Sequence, residues 1–215
     1  RDPETLGSVM RGLVLSGAAI SLYGDSRPAS GAEHHMSHYW ETILEQRGIR
    51  PAMHGEQVAV GTVLVLMLIE ELLKENIDFD AARESARAYN SAAWELEIRA
   101  HYGAAADEVI ALEQKAGKNN IEGRLARIDS MQRSWDAVRV QLETLPESSS
   151  VRALLRDIGC PCTPADIGVD DELLMDTFRY CKEIRARYTV FQTVYDLGLT
   201  DKLAARVIEK ANSTD

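Results

Sequence analysis

Cysteine is scarce in this sequence: three residues in 215, Cys160, Cys162 and Cys181. An odd count without a secretory leader argues against a disulfide framework and for reduced thiols in a cytoplasmic protein. Cys160 and Cys162 form a CxC pair, but a cysteine-based zinc site needs a second pair and none follows. Basic residues are also in deficit, with 24 Lys and Arg against 34 Asp and Glu and a formal net charge of -10. A surface of that sign repels a phosphate backbone, so nucleic acid is excluded as an expected partner. A small phosphorylated molecule stays open, because one or two local cations could hold it. Long hydrophobic runs are missing: the longest apolar stretch, Val58 to Ile69, covers 12 residues. That falls short of the roughly 20 that cross a bilayer, so the stretch reads as a buried core helix and no membrane span is expected. Neither GxGxxG nor GxxxxGK[ST] occurs. If a dinucleotide is used, the loop cradling its phosphates lies outside this sequence.

Strand signals are absent as well, since no run of four to eight residues alternates convincingly between turns. What remains is helical periodicity, and the fold class expected is all-α. Hydrophobic residues make up 45% and charged residues 27% of the chain, enough apolar material for a packed core. Residues 1–215 are read as one helical domain, two small subdomains being the other arrangement such a length allows. Asp2-Pro3-Glu4 is a helix start, and Leu6, Val9, Met10, Leu13, Val14 and Ile20 continue at helical spacing to Tyr23. GDSRPASG at 24–31 breaks the pattern. A second helix is predicted over 32–46, stopping at Gly48, and a long apolar helix from about Gly55 to Asn76. Further helices are predicted over 80–100, 107–116, 121–145, 151–158, 171–187, 189–196 and 201–211. PESSS at 146–150 reads as an exposed loop with Ser150 as a cap. Trp40, Trp94 and Trp135 fall on amphipathic patterns and read as core. Glu70-Glu71 looks like a solvated face, Asp170-Asp171 like a helix cap, and His101 like a structural residue.

Four of the five histidines, His34, His35, His38 and His54, fall within 21 residues. His34 and His38 are four apart on a predicted helix, so their rings share a face and can converge. That suits a divalent metal or an active-site cluster; the same spacing also arises by chance in helices whose histidines only hydrogen-bond. The HExxH protease pattern fails because His35 follows His34. His54 stands where a loop meets the apolar helix, a common place for a residue aimed into a cleft. Arg27 lies just ahead of the histidine helix, beside Ser26 and Ser30. A helix N-terminus with a cation and hydroxyls receives a phosphate or carboxylate well, and a capped loop with a solvated arginine is the plainer reading.

Three motifs in order, RPASGxEH, HxxxH and HGEQV, sit within SGAAISLYGDSRPASGAEHHMSHYWE and MHGEQVAVGTVL. Together they resemble glycerol-1-phosphate dehydrogenases, above all the bacterial type, within the superfamily of iron-containing alcohol dehydrogenases, glycerol dehydrogenase and dehydroquinate synthase. GCPCTPADIGV and KEIRARYTVFQTVYDLG resemble the tail of the same family. Residues from about 80 to 150 carry little of the resemblance, Ala59 stands where glycine is expected, and Cys160 and Cys162 also depart from the pattern. The resemblance implies the C-terminal, metal- and substrate-binding half of the dehydroquinate synthase-like fold. The N-terminal Rossmann-like half, which would bind NAD(H) or NADP(H) and give the metal an aspartate, is not in this sequence. The start at Arg1 fits such a piece of a longer protein.

By resemblance His34 and His54 are the histidine ligands of a divalent metal, zinc or nickel, with iron as a further option. His38 is a catalytic residue in the substrate pocket, placed to hydrogen-bond or relay a proton, and Arg27 and Ser30 are substrate-binding residues near the phosphate. The implied reaction interconverts dihydroxyacetone phosphate and sn-glycerol 1-phosphate, in the service of phospholipid synthesis, by a cytoplasmic homodimer or other homo-oligomer. The 215-residue chain alone is expected to be inactive. Two alternatives stand beside this. A glycerol or other polyol dehydrogenase of the same superfamily would be separated by its substrate, and tight metal binding together with activity once the N-terminal half is added would count against a non-catalytic helical interaction domain.

Overall fold

The computed structural model describes residues 2–213, and among them there is no strand. Asp2 opens α1 (Pro3–Tyr23) by accepting hydrogen bonds from the Glu4 and Thr5 amides, and Gly24 closes it at φ 76°. A 3₁₀ turn at Arg27–Ala29 leads to α2 (Ala32–Gln46) and then α3 (His54–Leu73). These bounds follow the sequence reading closely, because caps and glycines punctuate them. After them come α4 (Phe79–Arg87), α5 (Ser91–Tyr102), α6 (Ala106–Ala116), α7 (Ile121–Leu142) and α8 (Ser148–Asp157). The chain ends in α9 (Asp171–Tyr180), α10 (Val190–Asp196) and α11 (Thr200–Asn212).

The apolar stretch Val58–Ile69 belongs to α3, the central helix, which packs on α2, α8 and α11. Val60, Val63, Leu64, Met67, Leu68 and Leu72 are all buried there, each worth roughly 1.5–3 kcal/mol against exposure. Trp40 is fully buried and donates to the Thr177 hydroxyl at 2.8 Å, which ties α2 to α9. Trp94 and Trp135 also lie in the core, as read from the sequence. Gly61 lets α3 come close to α2: a Cβ there would stand 3.0 Å from the Glu33 carbonyl oxygen.

Four readings are corrected. The helix expected over 80–100 is two, because Asn90 caps a new one by accepting from Ala92 and Ala93. PESSS is an exposed loop only at Pro146 and Glu147. Ser148 is buried at the start of α8, and both its amide and hydroxyl donate to Glu70, at 2.6 and 2.9 Å. Glu70 thereby leaves the solvated face assigned to it, and Glu71 beside it is buried. The helix expected over 171–187 ends at Tyr180 and passes into a 3₁₀ turn, Cys181–Ile184. There the buried pair Lys182–Glu183 meets Lys118, whose ammonium lies 2.9 Å from the Glu183 carboxylate and donates to the Lys182 carbonyl.

α1 buries none of its residues. It is also long and apolar enough to cross a membrane by length and composition, with a mean hydropathy of 1.4 over its most apolar window. The expectation of no span rested on Val58–Ile69, which is core; α1 meets that criterion instead, with Glu4 and Arg11 among its exposed residues.

Candidate metal centre

The N-terminal halves of α2 and α3 bring three imidazoles together. His34 and His38 lie one helical turn apart on α2, with ring centroids 6.3 Å apart. His54 opens α3 and sits 5.3 Å from His34 and 5.4 Å from His38 by the same measure. All three are partly exposed, as ligands for an exchangeable ion or substrate need to be. The junction is locked from behind. Buried Ser37 donates to the side-chain oxygen of Gln57 at 3.3 Å, and Gln57 donates to the Ala52 carbonyl at 2.7 Å.

Two carboxylates complete the cluster, and neither was singled out from sequence. Glu33 lies 2.6 Å from His34 Nδ1 and also accepts from the Gly31 amide at 2.9 Å. Glu41 contacts two rings, His38 Nδ1 through Oε2 and His54 Nδ1 through Oε1, both at 2.9 Å. Burial pushes both carboxyls upward, but hydrogen bonds from the histidines, joined at Glu33 by backbone amides, together outweigh it and hold Glu33 and Glu41 below the ordinary carboxylate value. His38, Glu41 and His54 offer ligand atoms within 4.8 Å of one another, the one group of this kind among the described residues. Glu41 could have been suspected from its spacing, three residues after His38 and so on the same face.

His35, between His34 and His38 in sequence, is turned into the interior. It is fully buried with neither ring nitrogen hydrogen-bonded, and burial, with Lys118, Arg187 and Arg185 nearby, lowers its pKa to about 4. His101 stacks on Tyr180 at 4.1 Å and lies 3.2 Å from Asp176. Cys160 and Cys162 are half-buried free thiols outside the cluster.

The substrate-site expectations divide between two cavities. One of 460 Å³ is lined by His38, Glu41, Thr42, Tyr102 and Arg185 among others. Arg27 and Ser30 line a second, of 380 Å³, together with Arg187, Tyr188 and Thr189. The segment 184–189 therefore contributes to both. Arg187, not foreseen from sequence, donates to the Ser30 carbonyl at 3.1 Å, to Asp25 at 2.8 Å and to the Ser26 hydroxyl at 3.0 Å. The Gly31 amide, just ahead of α2, donates to Glu33.

The chain is 26% identical over 178 residues to the glycerol-1-phosphate dehydrogenase [NAD(P)+] of Halalkalibacterium halodurans, covering 83% of this chain and 35% of that protein. It is 27% identical over 197 residues to the enzyme of the same name from Geobacillus stearothermophilus, covering 88% of this chain and 38% of that one. Its homologues are glycerol-1-phosphate dehydrogenases. Identity to the glycerol-1-phosphate dehydrogenase of Pyrococcus furiosus rises to 46%, but over 67 residues only, 31% of this chain and 18% of that protein. The chain thus spans a little over a third of the length of the first two relatives. No family model matches it, and no solved structure does. Those relatives are, by name, oxidoreductases.

Proposed function

We propose that this chain is the helical, metal-holding part of an NAD(P)-dependent dehydrogenase that interconverts dihydroxyacetone phosphate and sn-glycerol 1-phosphate. The observation that carries the reading is the meeting of His34, His38 and His54 within 6.3 Å, centroid to centroid, in a chain with these homologues. The donor set fits a divalent ion, since imidazoles flanked by carboxylates suit zinc, nickel or iron(II). In this reading His34 and His54 are ligands, and further ligands come from a longer protein. When bound, the ion polarises the substrate carbonyl and a nicotinamide supplies the hydride.

This chain's own residues then have three tasks. His38 faces the 460 Å³ cavity and hydrogen-bonds the substrate oxygen, moving a proton through its ring. Glu41 takes the hydrogen bond at the far side of that ring. Arg27 and Ser30, with Arg187, receive the phosphate: the two guanidinium groups share one carboxylate, Asp25, which leaves a local positive charge. A cytoplasmic homo-oligomer fits the same reading.

The test compares substrates on a longer protein that contains this chain. Reduction of dihydroxyacetone phosphate with NADH or NADPH, and little oxidation of unphosphorylated glycerol, is the expected result. Preference for glycerol would move the protein to the polyol branch. Absence of both activities, with metal retained, would favour an interaction domain.

A further inference from the structure

A carboxylate has lone pairs and no proton to give, so a nitrogen facing it carries the hydrogen. His38 Nδ1 meets only Glu41 Oε2 as hydrogen-bond partner, at 2.9 Å. His54 Nδ1 faces two oxygens, Glu41 Oε1 at 2.9 Å and Ser37 Oγ at 3.0 Å. The direction of the second contact is set by its neighbours. Gln57 spends its amide nitrogen on the Ala52 carbonyl, which turns its oxygen to Ser37, and the Ser37 hydroxyl donates there. Ser37 therefore offers His54 a lone pair, and both groups facing His54 Nδ1 are acceptors.

We propose that Glu41 is a positioning residue that holds His38 and His54 in the Nδ1–H tautomer and presents both Nε2 lone pairs outward. The role given to the lone pairs rests on the metal-site reading above; the tautomer assignment does not. One carboxylate bridges a ligand on α3 and a proton-handling residue on α2, so the two rings are oriented together. Glu33 does the same for His34 alone, from the neighbouring position in sequence. A histidine that ligates through one nitrogen and donates from the other to a carboxylate is fixed in orientation, and loss of such a partner typically costs about 10–100-fold in metal affinity.

The experiment is ¹⁵N NMR of the histidine rings in the metal-free 215-residue chain, wild type, Glu41→Gln and Glu41→Asp, followed by zinc titration of each. His38 and His54 are expected as Nδ1–H tautomers in the wild type. In Glu41→Gln at least one of the two should lose that tautomer, and zinc affinity should fall about 10–100-fold. Glu41→Asp should recover part of both, and the His101 signals should stay in place as a control for folding. Nε2–H tautomers in the wild type would overturn the proposal, as would Glu41→Gln leaving tautomers and zinc affinity unchanged. Unchanged tautomers with an affinity loss far beyond about 100-fold would overturn it in favour of Glu41 as a direct ligand. The expected tautomers with no zinc bound by any variant would uphold the assignment and reject the metal reading.

Discussion

Single residues here earn their roles from what they touch. His38 lines a cavity and hydrogen-bonds a carboxylate that lines it too, whereas His35, three residues away, has no hydrogen-bond partner and no solvent. In a longer protein containing this chain, His38→Ala should lower turnover by about 10²–10⁴-fold and leave metal content nearly unchanged. Steady-state kinetics beside metal analysis checks this, and loss of the metal instead would make His38 a ligand. Away from the centre, Glu183 is buried against Lys182 and Lys118. Burial pushes its carboxyl upward, but the two lysines outweigh it and hold the group at about 2, below the ordinary 4.5. The unfolded chain therefore takes up this proton first as pH falls. The stability Glu183 contributes is fully present above 4.5 and is lost as pH drops toward 2. Glu183→Gln should cost about 3–5 kcal/mol at neutral pH, because two buried ammonium groups lose their counter-charge. It should also flatten the acid limb of a urea-denaturation series run from pH 7 down. An equally steep limb in the variant would contradict this.

Helix packing decides how firmly the centre is held. Where α3 crosses α2, Gly61 faces the backbone of Glu33, which cannot give way as a flexible side-chain tip could. Gly61→Val should therefore cost about 1–3 kcal/mol by overpacking and push the His34–Glu33 pair away from His54. Urea melts together with zinc affinity check this, and unchanged values for both would show that α2 can shift freely. The same elements show how much of the structure was legible in the sequence. The bounds of α1 and α2 were readable because Asp2, Pro3, Gly24 and Gly31 carry local capping chemistry. The start of α8 was not, since Glu70, far off in sequence, seats Ser148 in the interior. Nor was the break after Tyr180, where no glycine or proline stands and tertiary contacts to Lys118 replace helix bonds. At the centre, histidine spacing made His34, His38 and His54 visible. Glu41 and Arg187 were not, one being an acid in an acidic chain and the other meeting the 24–31 loop only through the fold.

The whole molecule is an all-α body with a metal-type cluster at one helix junction, matching about a third of the length of its first relatives. Its function depends on whether that cluster binds an ion through the residues named. Catalytic zinc sites usually use three protein ligands at about 2.0–2.1 Å for nitrogen, with one position open. His34 and His54 supply two, so this chain should bind more weakly than a longer protein that adds an anionic ligand. Isothermal titration with zinc of the 215-residue chain, His34→Ala and His54→Ala is the most direct measurement. The expected result is one saturable site in the wild type, lost or much weakened in each variant. An affinity that neither substitution changes would contradict the account.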